Sequence, residues 1–318
     1  MYKLIRFYNQ NRRKIWITIL IIVFILGIIQ LLNYLTKVNK EKNGNQITNV
    51  IETNNTNKEL ISNKSAITGE SVSNAKLKND TEVISEFVKY CNEQSVNLAY
   101  EMLSEECKEE MFPTIEDFNN IYYSKIFGEN RKIYTIENWL DNIYQVKFTQ
   151  DILSTGNLTN NETKQDYITI TKENGEKKLN INNYVGRKNL NKSTEYKNVK
   201  ITVSKVDTYM DYEIYNLVIE NSSGSDILLD TSDDTKSVYL LDNKDMKYYF
   251  YSNEIVGNKL IVESKFTRNL QIKFSNSYSS NRKINKLVFS KFILNYNEYK
   301  ILENKQEYDN FYQYRVNV

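Results

Sequence analysis

The chain divides by its rhythm of apolar and polar positions. From Ile15 to Leu35 no charged side chain interrupts "IWITILIIVFILGIIQLLNYL". About 21 residues rising ~1.5 Å each make a helix of roughly 31 Å, the depth of a bilayer's hydrocarbon core, so the stretch predicts a transmembrane helix. Over 36–79 the periodicity disappears into Asn, Lys, Thr, Ser and Glu, with no aromatic residue from Lys37 to Asp80. Such a segment buries too little to offset its ordering entropy and predicts a disordered tether with a mean reach of about 35 Å. From Asp80 the apolar positions recur at helical spacing: Val83, Ile84, Phe87, Val88 and Cys91, then Val96, Ala99, Tyr100 and Leu103. Asp80, Ser95 and Ser104 are the expected N-caps, and Thr114 with Asp117 forms a variant capping box before Phe118, Ile121, Tyr122 and Phe127.

After Gly128 the period becomes two. "KIYTIENWL", "IYQVKFTQDIL" and "QDYITITKENGEKKLNI" predict antiparallel strands, the last holding a hairpin turn at Asn174-Gly175. "GRKNLNKSTEYKN" reads as a polar joint, and beyond it eight short alternating runs, from "VKITVSKVDTY" to "INKLVFSKF", predict an antiparallel sandwich. The expected class is α+β: a basic tail (1–14), a transmembrane helix (15–35), a tether (36–79), an α+β domain (80–190) and an all-β sandwich domain (196–318).

Charge orients the anchor. Lys3, Arg6, Arg12, Arg13 and Lys14 precede the span without an Asp or Glu, which places that flank in the cytoplasm and everything after Thr36 outside. Trp16 and Tyr34 lie at the two ends, where their rings suit the membrane interface. The first alanine is Ala66, so no small-residue cleavage site follows the apolar run, and it reads as a retained anchor in the lipid bilayer instead of a removable signal. The whole chain carries +2, the basic flank contributes +5, and the outside part is therefore about −3. This near-balance argues against nucleic acid as a partner.

Chemistry is narrowed mainly by absence. With no histidine, the chain has no Ser-His-Asp or Cys-His catalysis and no histidine metal site. Nine glycines leave little for phosphate-cradling loops, and no nucleotide-binding or nucleophile-elbow pattern is present. The sequence therefore implies no cofactor, no metal and no catalytic residue. Cys91 and Cys107 sit on apolar helix positions and read either as a disulfide between neighbouring helices or as two small buried hydrophobes. Glu105, Glu106, Glu109 and Glu110 read as a cation or acid-base site or, more simply, as a solvated face near a helix N-terminus. Asp230, Asp233 and Asp234 are a calcium-loop candidate without a recognised spacing. Tyr100, Tyr122, Tyr123 and Trp139 either line a pocket or pack the core.

The cadence "EFVKYCNEQSVNLAYEMLSEECKEEMFPTIEDFNNIYYSKIF", followed by strands, resembles the opening of an NTF2-like cone. That resemblance implies a curved sheet around a pocket and transfers no catalytic residue. The strand-rich half resembles the immunoglobulin-like extracellular domains of Gram-positive surface lipoproteins, although there is no lipobox. The abundance of Asn, Lys, Ile and Tyr with a single proline, Pro113, is similar to proteins of low-GC Gram-positive bacteria. Anchor, tether and cone together resemble VirB8-like and TcpC-like scaffolds of conjugative and type IV secretion machines. The expectation is a non-catalytic, membrane-anchored extracellular interaction protein with protein partners at the cell surface. The alternative is a ligand-binding or sensory module using the cone's pocket, and an enzyme ranks third.

Overall fold

The computed structural model describes residues 48–51, 59–128, 130–151, 163–231, 236–250, 260–278 and 282–318. The expected tail, transmembrane helix and interface residues Trp16 and Tyr34 lie outside these residues. Among the described residues no helix is long and apolar enough to cross a membrane.

Strands β1 (Thr48–Ile51) and β2 (Glu59–Ser62) precede helix α1 (Asn74–Asn92). The folded part thus begins before Asp80. Ser65 donates its hydroxyl to the Trp139 carbonyl, and the Ala66 and Ile67 amides bond the carbonyls of Asn138 and Trp139. These contacts use backbone and hydroxyl groups, so the segment from residue 59 docks on a sheet edge without the apolar pattern that would have revealed it. Ser73, and not Asp80, caps α1, its side chain accepting from the Lys76 amide. Asp80 lies inside the helix on its buried face with Leu77, Ile84, Phe87, Val88 and Cys91.

Helix α2 spans Val96–Glu101, α3 Glu105–Met111 and α4 Ile115–Phe118. Ser104 caps α3 through the Cys107 amide, and the Thr114–Asp117 capping box closes in both directions. A π-helical segment, Asn119–Tyr123, leads into α5 (Ser124–Ile126). Its wider turn brings the adjacent Tyr122 and Tyr123 both into the interior.

The helices cover a four-stranded antiparallel sheet ordered β3-β4-β5-β6, with β3 Lys132–Leu140, β4 Ile143–Gln150, β5 Lys164–Glu173 and β6 Glu176–Asn180. Asn174 and Gly175 both take positive φ, as a two-residue hairpin turn requires. The remaining strands form two further four-stranded antiparallel sheets. One is ordered β14-β9-β8-β7, from β7 (Tyr184–Tyr196), β8 (Val199–Tyr209), β9 (Tyr212–Asn221) and β14 (Phe266–Ser275). The other is ordered β12-β11-β15-β16, from β11 (Val238–Asp242), β12 (Lys247–Tyr249), β15 (Ile284–Phe292) and β16 (Tyr312–Asn317). A short pair, β10 (Ile227–Leu228) with β13 (Ile261–Val262), a short helix α6 (Tyr296–Ile301) and a 3-10 turn at Lys305–Glu307 complete the described elements of this half. The two larger sheets share one apolar core, from Val199 and Ile201 on β8 to Phe289 on β15 and Val316 on β16. The result is a mixed α and β chain built on antiparallel sheets, and the strand-rich half is consistent with a β-sandwich.

The expected polar joint is a strand. β7 pairs with β8 from Tyr184↔Tyr209 to Tyr196↔Val199. As an edge strand it has hydrogen-bonded neighbours on one side and mostly solvated side chains, so its sequence alternates weakly. Tyr184 and Tyr209 belong to the core of the α+β half, whereas Val199, Ile201 and Val203 belong to the core of the β half. Strands β7 and β8 therefore run through both cores, and no linker separates them at 191–195.

Candidate functional site

The first candidate is the interior between helices and sheet. Phe118 lies at its centre, with ring centroids 6.5 Å from Phe87, 5.6 Å from Phe112 and 5.9 Å from Tyr122. Phe127 packs edge-on against Phe148 at 5.3 Å on the sheet side. Three of the four expected lining residues meet here. Tyr122 and Tyr123 are buried, and Tyr100, half-buried, bonds the Phe112 carbonyl at 2.9 Å while its ring stands 5.8 Å from Phe118. Trp139 is elsewhere, packed on Tyr167 at 5.1 Å. These rings pack against one another within the core of this half.

Two buried carboxylates enter this interior, each satisfied within the fold. Asp166 accepts from the Tyr122 hydroxyl at 2.7 Å and from the Asn182 and Asn183 amides at 2.9 Å each. Both asparagines have positive φ, a conformation that points successive amides at one anion. Burial still raises the Asp166 pKa above the ordinary carboxylate value, because the hydrogen bonds offset only part of the desolvation. Asp80 accepts from Tyr144 at 2.7 Å and from Lys177 at 2.6 Å. Asn138 on β3 is fully buried, and its side-chain amide finds no hydrogen-bond partner among the described residues.

A second cluster surrounds Arg187, which sequence reasoning had passed over. Its guanidinium contacts Glu109 at 2.6 Å, Glu110 at 3.0 Å and Asp207 at 2.6 Å, and its side chain is only 5% exposed. The Arg187 amide donates to Glu106 at 3.1 Å beside a bulge where Gly186 sits at φ +155°, a conformation that favours glycine. Tyr209 donates to Glu110, and Tyr184 and Asn216 donate to Asp207. So the α3 carboxylates are not simply a solvated face: Glu106, Glu109 and Glu110 bond Arg187 on β7, and Glu110 also bonds Tyr209 on β8, although Glu109 stays exposed like Glu105. Burial and then the Asp207 charge raise the Glu110 pKa, more than Tyr209, Lys205 and Arg187 lower it. Burial alone would pull the Arg187 guanidinium down, but its bond to Asp207 and that group's charge reverse the effect.

Cys91 and Cys107 are free and buried in the same core, not joined as a disulfide. Burial pushes the Cys107 thiol up to about 12, and it raises Cys91 as well. Of the acidic loop, Asp230 is buried, and Asp233 and Asp234 lie outside the described residues. Among the described residues no group of His, Cys, Asp and Glu is arranged to hold a metal.

Two surface grooves lie among the described residues. One, of about 790 Å³, crosses β8, β9 and β14 over a polar floor in which Gln271 donates to Asn216, which in turn donates to Asp207. The other, of about 650 Å³, lies between α1, α2 and the β5–β6 hairpin.

Comparison with protein families finds no match, and comparison with curated proteins finds none either. Among solved structures the chain is similar to the YjhA protein from Bacillus subtilis, at 15% identity over 41% of this chain and 97% of that one, with a TM-score of 0.29. A likeness at that score bears no argument about fold or function.

Proposed function

We propose that this chain is a membrane-anchored extracytoplasmic scaffold or interaction protein without catalytic activity, a component of a cell-surface or conjugative and secretion assembly. In this reading residues 15–35 are the anchor, the α+β half is an NTF2-like cone and the strand-rich half is an immunoglobulin-like sandwich. The observation that carries it is the packed interior. Phe87, Phe112, Phe118, Tyr122 and Phe127 fill the space a ligand would need, and the carboxylates that might have turned over a substrate are committed to tyrosine, lysine and backbone donors. What the chain offers a partner is then its surface. The alternative is a ligand-binding or sensory module using the cone's pocket.

The test is cross-linking in intact cells with a photoreactive residue at Glu86, Leu98 or Asn269, followed by mass spectrometry. Adducts to defined membrane proteins at these sites, absent from a buried control at Phe118, are expected. Cross-links confined to small molecules would overturn the reading. A tag at Val318 that stays shielded from protease in intact cells would overturn its topology.

A further inference from the structure

The β3–β6 sheet has two edge strands, β3 and β6, and the chain covers part of each. Over β6 the cover is the turn between α2 and α3. The Leu179 amide donates to the Met102 carbonyl at 2.9 Å, the Ser104 amide donates to the Leu179 carbonyl at 3.0 Å, and Leu103 between them is fully buried. Over β3 the cover is the stretch 63–72, just ahead of α1. The Ala66 amide donates to the Asn138 carbonyl at 2.9 Å, the Ile67 amide to the Trp139 carbonyl at 3.3 Å, and the Ser65 hydroxyl to that same Trp139 carbonyl. β3 shifts register against β4 between Asn138 and Leu140, so Trp139 is left over from the ladder and its carbonyl serves this stretch instead.

The two covers are held by different forces. An apolar side chain pins the one on β6. In the one on β3, Ala66 through Ser71 are all exposed, Val72 is half-buried against the core, and Ser65, whose side chain is a hydroxyl, is the residue of the ten that is buried. Most of its other hydrogen bonds close within the stretch: Lys64 bridges Ser71, the Ser65 amide donates to the Glu70 carbonyl at 2.8 Å, the Val72 amide donates to the Asn63 carbonyl at 2.9 Å, and the Ser65 hydroxyl accepts from the Ile67 and Thr68 amides. A segment that keeps its own bonds and buries little apolar surface opens at far lower cost than the body it rests on.

We propose that residues 63–72 form a releasable strap, which leaves the β3 edge as a unit while the body stays folded. Opening frees the Asn138 and Trp139 carbonyls and uncovers that end of the edge strand. In the anchored reading, a pull from the membrane reaches the strap before it reaches α1. The opening itself does not rest on that reading.

The test is hydrogen–deuterium exchange of the full chain in detergent, resolved by residue, with and without low urea. The Ala66 and Ile67 amides are expected to be protected, yet to exchange about a hundredfold or more faster than the amides of β4, at rates that low urea leaves unchanged. Ser65→Ala removes the hydroxyl that joins strap to β3 and should speed strap exchange about tenfold further without altering β4. Ala66→Pro removes the amide bonded to Asn138 and should do the same, and protection in β4 reports that each variant folds. Leu103→Ala, on the other cover, should instead speed exchange throughout the α+β half. Strap amides that exchange only with β4, strap amides with no protection at all, or a Ser65→Ala change that loosens β4 as much as the strap would overturn the proposal. None of these outcomes depends on the anchor or on a partner, so this inference and the scaffold reading fail separately.

Discussion

The two halves of the described chain solve the same packing problem with different side chains. Where helices cover the β3–β6 sheet, the core is ring-rich and its tyrosines make three buried Tyr–Asp pairs. Where sheet faces sheet, it is mostly Val, Ile and Leu from alternating strand positions. Two sheets stand about 10 Å apart, a gap that branched aliphatic side chains fill from both faces. Helices of 19, six and seven residues over a sheet leave an uneven space, and rings with a polar tip can span it while the tip finds a partner. In the aliphatic core the Tyr314 hydroxyl donates to the neutral carbonyls of Thr194 and Val199. The ring-rich core depends on buried charge, and so does the seam between the halves.

The strongest way to break that comparison is Arg187→Ala. It leaves the buried Asp207 and the mostly buried Glu110 with Lys205, 3.7 and 3.8 Å away, in place of the close guanidinium bonds, and it should cost about 3 kcal/mol. Urea unfolding followed by Trp139 fluorescence and by far-UV circular dichroism should then no longer coincide, because α3 loses its hold on β7 and β8, the strands that run through both cores. Coincident curves with unchanged midpoint would show that the seam is dispensable. Tyr122→Phe tests the ring-rich core more gently. The buried Asp166 loses one donor and keeps two amides, so a loss of about 1–3 kcal/mol is expected by chemical denaturation. Tyr314→Phe is the matching change in the aliphatic half. Its hydroxyl serves two carbonyls that are neutral, and the expected loss is about 1 kcal/mol.

The smallest effect concerns pH. The folded chain raises the Glu110 pKa above its unfolded value, so this group's contribution is fully present below the unfolded pKa and is lost as pH rises through the folded one. Asp166 is raised too, so the sign is the same. Measured against Glu110→Gln, the wild type should therefore lose relative stability as pH is raised from the acid side toward neutrality. A difference that grows with pH would mean that Arg187 and Lys205 dominate Glu110 after all.

Much of the architecture was legible before the structure. β3, β8, β9 and β15 coincide with the alternating runs "KIYTIENWL", "VKITVSKVDTY", "YEIYNLVIEN" and "INKLVFSKF", because each buries one face and the period of two survives. The caps at Ser104 and Thr114 were readable for a similar reason: their hydrogen bonds close within three residues. What went unread has a different physics. β7 reads as a joint in the sequence because an edge strand is held by backbone pairing that leaves little side-chain signature. Asp80 looked like a cap because a lone acid before an apolar run usually is one, whereas its true partners, Tyr144 and Lys177, lie 64 and 97 residues away. The α3 carboxylates looked solvated for the same reason, their cation being 77 to 81 residues downstream.

By itself, then, the sequence determined the local elements, the helix caps that close within a turn, the hairpin at Asn174-Gly175 and the poverty of histidine and glycine that narrows the chemistry. Tertiary structure alone decided that Arg187 gathers three carboxylates, that Asp166 is held by two left-handed asparagines, and that the cysteines stay apart. The division follows from range. Periodicity and capping are interactions between residues a few positions apart, while charge pairing and core filling join residues whose neighbourhood exists only once the chain has folded.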